Sequence, residues 1–176
     1  MMTLKNISDE TGFSVSTISK ALNDKHDINE ETKKIIQDFA TKANYRPNKN
    51  ALALRSKRSS IVAIIVPRVN NSVYSEMLYY TQKCASNSGF RVMLFQSFDE
   101  VSKIQFFLED LNDGSVDAAI VFTKYIKDVS KINLVSLKNI IVDFVELTQD
   151  QNPTAMQNTC NELFQKIKKY HNSNLY

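Results

Sequence analysis

Gly12-Phe13-Ser14 constrains this chain more than any other stretch. Glycine takes the left-handed backbone that ends a helix, and serine accepts backbone N–H groups at the start of one. The three residues therefore predict one helix that stops and another that begins almost at once. Thr3 is placed to cap the first, over about Leu4 to Thr11, with Leu4 and Ile7 facing inward. Ser14 caps the second, about Val15 to Asn23, by accepting from the N–H of Ser16 or Thr17. Val15, Ile18 and Leu22 recur at i, i+3 and i+7 and predict its apolar face, while Ser16, Thr17, Ser19 and Lys20 fill the rest. A helix that short is unstable by itself. It must dock on neighbours and turn its polar side toward something, which in a helix-turn-helix is the DNA major groove.

Asn29 can cap a third helix, with Glu30 and Glu31 favourably set against its N-terminal dipole. Ile35, Ile36, Phe39 and Ala43 are its expected inward stripe. Pro47 ends this pattern. Asn48 can cap a short fourth helix, about Lys49 to Ser56, whose basic flanks predict ordering on contact with DNA rather than in isolation. Residues 56–60, Ser-Lys-Arg-Ser-Ser, read as a linker.

Beyond it the character changes. Ile61 to Val66 is an unbroken apolar run, predicting a strand buried on both faces. Further strands are expected at 90–95, 117–122 and 139–144, with helices at about 73–87, 101–111 and 154–170. Strands alternating with helices imply a parallel sheet. The expected fold is thus an all-α helix-turn-helix DNA-binding domain (1–46), a short basic helix and linker (47–60), and an α/β domain with a parallel sheet (61–176).

Charge agrees with that division. Residues 1–60 carry 11 Lys or Arg against 7 Asp or Glu, and residues 61–176 carry 11 against 12. The basic excess lies where phosphates would be neutralised. Only three glycines occur, at 12, 89 and 114, so clustered-glycine phosphate loops are excluded. His26 and His171 stand alone, no nucleophile has an identifiable base, and neither an enzyme, a metal site nor a cofactor is expected. Asp99-Glu100, Glu109-Asp110 and Asp113 read as a solvated helix face. Cys84 and Cys160 lie far apart in sequence, without metal spacing, and read as free thiols in a reduced cytoplasmic setting.

The order of these residues resembles the LacI/GalR family of bacterial transcription regulators. The likeness runs through 3–8, 12–23, Asn29-Glu30-Glu31-Thr32, Tyr45-Arg46-Pro47-Asn48, Leu54-Arg55-Ser56 and the strand from Ile61 to Pro67. It continues through Asn71-Ser72-Val73-Tyr74, Gly89-Phe90 and Gly114-Ser115-Val116-Asp117. The resemblance implies that Val15, Ser16 and Lys20 face base edges, with Lys20 where many members have arginine. It implies that Leu54 is the hinge leucine that wedges into the minor groove, with Asn48, Ala51 and Arg55 around it. Thr3, Ser14, Thr17, Ser19, Asn23 and Tyr45 complete the expected DNA-contact set. Asn71, Tyr74 and Asp143 are the expected effector-binding residues, for a sugar or other small polar molecule.

Two departures from the family pattern, Ser72 for a proline and Phe144 for an arginine, fall in that effector region. The resemblance also implies a hinge helix within 47–60 and a two-lobed effector domain, and the sequence stops about where the family's second lobe should begin, leaving 61–176 as an incomplete α/β, periplasmic-binding-protein-like lobe. Together they predict an impaired or absent effector response. The expected protein is a repressor that binds a near-palindromic operator as a homodimer, partnered through the helix with Met77, Leu78 and Tyr79. The residues leave open a regulator acting by mixed dimers or operator competition, a non-functional fragment, and a small-molecule-binding α/β module.

Overall fold

The structure, a computed structural model, describes residues 2–47 and 58–173 of the 176-residue chain, with side chains to residue 170. The chain divides into two compact units, Met1–Leu52 and Ala53–Tyr176.

The first unit is three helices: α1 (Leu4–Thr11), α2 (Val15–Leu22) and α3 (Glu30–Lys42). Its core is Ile7, Ile18, Ala21, Ile36 and Ala40, with Leu4, Phe13, Leu22, Ile28, Phe39 and Tyr45 packed around it. Three expectations of phase are corrected. Val15 is 44% exposed, not inward, and Ser19 is buried, not outward. The inner face of α2 is Ile18, Ala21 and Leu22, at i, i+3 and i+4, which rotates the helix so that Ser19 turns inward. Ile35 is also exposed, because the stripe of α3 runs through Ile36, Phe39, Ala40 and Ala43 and leaves Ile35 beside it.

The second unit is a four-stranded sheet of order β2-β1-β3-β4, parallel throughout. The strands are β1 (Ile61–Val66), β2 (Arg91–Gln96), β3 (Ala118–Thr123) and β4 (Ile141–Glu146). The helices are α4 (Ser72–Asn87), α5 (Val101–Asp110) and α6 (Pro153–Ser173), with short 3-10 turns at Leu111–Asp113 and Ile126–Val129. The passage from β3 to β4 has only that second 3-10 turn, so the alternation of strand and helix lapses there. Val62, Ile64, Val66, Ala118, Ile120 and Phe122 pack with α4 and α6. Ala63, Ile65, Ala119 and Val121 pack on the opposite face with α5. Both faces are covered, which is why β1 is apolar at every position and β3 at every position before Thr123.

Local chemistry sets the ends of these elements. Asn152 accepts from Ala155 N–H at 2.8 Å and Pro153 opens α6, a cap followed by a residue with no N–H to satisfy. The supposed linker is not free at its end. Asp117, at the foot of β3, accepts from Ser59 N–H (2.8 Å), Ser59 Oγ (3.0 Å) and Ser60 N–H (3.0 Å). The chain is therefore fixed to the lobe two residues before β1 begins. Cys84 and Cys160 are free and buried, and they meet across α4 and α6 although 76 positions apart. Burial pushes the Cys160 thiol up to about 11.

Helix α6 changes the reading of α4. Its Met156, Cys160, Leu163, Phe164 and Ile167 cover Tyr74, Met77, Cys84 and Ala85. Met77, expected at a partner surface, is fully buried, whereas Tyr79 is exposed and Leu78 half-buried. Met77→Ala is expected to cost about 2–5 kcal/mol in denaturant unfolding, and Tyr79→Ala less than about 0.5 kcal/mol. Equal losses would place α4 in the wrong rotation.

Candidate nucleic-acid interface

The site is built from the turn between α1 and α2. Thr3 and Asn6 form a reciprocal capping box: Asn6 N–H donates to Thr3 Oγ1 at 3.2 Å and Thr3 N–H to Asn6 Oδ1 at 3.0 Å. Gly12, at φ 75°, takes the left-handed conformation and donates to Ser8 O at 2.9 Å. Ser8 Oγ donates to Phe13 O at 2.6 Å, holding the turn while the half-buried Phe13 ring packs on the core. Ser14 Oγ accepts from Thr17 N–H at 3.1 Å and hydrogen-bonds Thr17 Oγ1 at 2.8 Å. At the far end, Gln37 of α3 donates from Nε2 to Ala21 O at 3.2 Å, adding a second donor to a last-turn carbonyl that also accepts from Asp24 N–H at 3.3 Å.

This arrangement leaves Ser14, Val15, Ser16, Lys20 and Asn23 exposed on one side of α2, with Thr17 half-buried among them. Hydroxyls, one methyl-bearing side chain and one cation are groups that fit base edges and phosphates. Of the expected contact set, Thr3 is exposed but caps α1, Ser19 is buried, and Tyr45 is half-buried against the core, where burial pushes its hydroxyl up. Asn48, Ala51, Leu54 and Arg55 lie outside the described residues.

The loop after α2 is tied from both sides. Asn23 Nδ2 donates to Ser19 O at 2.7 Å, and Lys25 N–H to Lys20 O at 3.1 Å. Lys33, buried on α3, pairs with Asp24 and, at 3.2 Å, with Glu30. Lys20 pairs with Asp27 at 2.5 Å. Sequence reasoning missed Lys33, Asp24 and Asp27, because no local pattern announces which loop acid will meet which helix lysine. Hydrogen bonds from Lys33 and Lys20 hold the Asp24 and Asp27 carboxyls below their ordinary 3.8. The hydrogen bond to Asp24 raises Lys33 above 10.5.

The expected effector residues are placed differently. Asn71 caps α4, accepting from Val73 N–H at 3.0 Å and Tyr74 N–H at 3.4 Å. The Tyr74 ring is buried in the core, its hydroxyl pushed up by burial and then by Asp99. Asp143, in mid-β4, pairs with Lys166 of α6. It belongs to the sheet–α6 contact, not to the loop that carries Asn71. Among the described residues, no group of three His, Cys, Asp or Glu is placed to hold a metal ion, and no helix is long and apolar enough to cross a membrane.

The capped helix-turn-helix and the parallel α/β lobe both have counterparts in known proteins. Residues 3–48 match the family described as bacterial regulatory proteins, lacI family, so the N-terminal unit carries a LacI-family helix-turn-helix domain. The chain is 29% identical over 142 residues to the HTH-type transcriptional regulator RegA of Clostridium saccharobutylicum, covering 80% of this chain and 43% of that one. It is 26% identical over 156 residues to the ribose operon repressor of Halalkalibacterium halodurans, covering 86% and 47%. The fold matches that of the lac repressor dimer bound to operator and the anti-inducer ONPF, with a TM-score of 0.70 at 19% identity over 81% of this chain and 44% of that one. The chain thus spans less than half the length of these relatives.

The ion pairs give a pH prediction. A carboxylate with a depressed folded pKa stabilises the fold above its unfolded value and loses that contribution as pH falls through the folded one. A raised lysine contributes below its unfolded value and loses the contribution as pH rises through the folded one. Asp24→Asn should therefore lower the melting temperature of the helical unit near neutrality. The gap to the unmutated chain should close as pH falls below about 4. A gap independent of pH would refute the Asp24–Lys33 pairing.

Proposed function

We propose that this chain is a sequence-specific DNA-binding transcriptional regulator, acting as a repressor on a near-palindromic operator as a homodimer. One observation carries the reading: α2 is capped and packed on every side except the one that presents Val15, Ser16, Thr17 and Lys20. A surface of hydroxyls and one cation on an otherwise committed helix suits insertion into the major groove. The basic excess of residues 1–60 supports it, since cations near the reading helix neutralise phosphates. The repressor sense is supported by the relative named as a ribose operon repressor.

Dimerisation follows from size. One eight-residue helix reads too few base pairs for strong preference, and two symmetric half-sites multiply the discrimination. The exposed side of α4 around Tyr79, with half-buried Leu78, is the proposed partner surface, and Met77 is removed from it. Leu54, with Asn48, Ala51 and Arg55, is proposed to enter the minor groove between the half-sites. The reading gives Asn71, Tyr74 and Asp143 no effector role, because capping, core packing and an ion pair already occupy them.

Selection of bound duplexes from a random oligonucleotide pool tests the reading. An enriched palindrome with a flexible central step is expected, the step being the site that Leu54 unstacks. An enriched single half-site would remove the dimer. Binding that is sensitive to salt but indifferent to sequence would refute a specific regulator.

A further inference from the structure

Lysine reads a base edge poorly for a geometric reason. Its ammonium is a point charge on a four-carbon stem, with three donors that rotate, whereas the arginine fork arrives already shaped for guanine O6 and N7. A chain that reads with Lys20 gains precision only if something holds the ammonium still. Lys20 Nζ donates to Asp27 Oδ2 at 2.5 Å. Asp27 lies on a loop that is itself fixed. Lys25 N–H donates to Lys20 O at 3.1 Å, Asp24 N–H to Ala21 O at 3.3 Å, and the Asp24 carboxylate pairs with the buried Lys33 of α3. The loop that carries Asp27 is thus tied to the domain up to Lys25, and the Asp27 carboxylate holds the ammonium. The Lys20 and Asp27 side chains remain 46% and 57% exposed, so the pair sits at the outer surface. Asp27 engages one donor of three.

We propose that Asp27 is a positioning residue that determines specificity: it holds Lys20 so that the two remaining ammonium donors address one guanine edge, giving lysine the preset geometry of a fork. The proposal rests on the assignment of α2 as the DNA-reading helix. It differs from a carboxylate that merely neutralises a cation. As a negative charge near phosphates, Asp27 weakens binding to any duplex. As an orienting partner, it sharpens the choice at one base pair.

The test compares the unmutated chain with Asp27→Ala, Asp27→Asn, Lys20→Ala and the Asp27→Ala/Lys20→Ala double variant at one fixed salt concentration. The probes are the pool-selected duplex, its single-base-pair variants and a random-sequence duplex. Asp27→Ala should bind the random duplex severalfold more tightly, yet lose about tenfold in discrimination at one base pair of each half-site. Lys20→Ala should lose discrimination at that same base pair, and the double variant should lose no more there than Lys20→Ala. Asp27→Asn, which keeps an acceptor oxygen without the charge, should fall between Asp27→Ala and the unmutated chain. The pair is exposed, so the circular dichroism and melting curves of the variants should stay close to those of the unmutated chain.

If Asp27→Ala strengthens binding to all duplexes by one factor and leaves every base preference intact, Asp27 is only a competing charge and the proposal is overturned. Loss of preference at a base pair that Lys20→Ala does not affect overturns it as well. A lack of base preference in the unmutated chain would instead refute the reading beneath the proposal, and it would show before any variant is made.

Discussion

A helix of two turns has too few internal hydrogen bonds to hold itself together in water, and α2 has eight residues. Everything distinctive in the first unit compensates for that. Ser14 satisfies a donor at its start, Gln37 reaches from α3 to a carbonyl at its end, and Ile18 and Ala21 are sealed between α1 and α3. Gly12 makes the arrangement possible, because a side chain there would oppose the left-handed backbone that brings α2 back across α1. Once these contacts are made, α2 has one side left. That side is small, polar and rigidly supported, which is what a groove-reading element requires.

The same economy appears at the foot of the α/β lobe. Asp117 gathers three donors from Ser59 and Ser60, so the lobe's own sheet fixes the chain just before β1. A carboxylate accepting several N–H and O–H groups in a nearly buried site is among the stronger local contacts a fold can make. Residues 59 and 60 are thus part of the lobe rather than a tether.

What could be read in the sequence was what local chemistry decides. Thr3, Gly12, Ser14 and Asn29 announce their caps because a cap needs only its immediate neighbours. The strand 61–66 announces itself because burial on both faces leaves no polar position to obscure it. The rotation of α2 was illegible: two turns contain too few apolar residues to fix a face, and Ala21, a small residue, takes the inner place that Val15 seemed to claim. Met77 seemed to face a partner because the helix that covers it, α6, begins some 75 residues later. Asp143 likewise pairs with Lys166, a contact that no spacing in the sequence suggests. The Asp24–Lys33 and Asp27–Lys20 pairs are tertiary in the same sense, and they decide how the reading helix is held.

The exposed side of α2 is the surface proposed to meet DNA. Amide chemical-shift mapping of the whole chain during titration with a pool-selected duplex tests it most directly. The largest shifts are expected on Ser14 to Lys20, with the buried core of the α/β lobe undisturbed. Shifts concentrated between Ile61 and Ser173, with α2 unmoved, would contradict it.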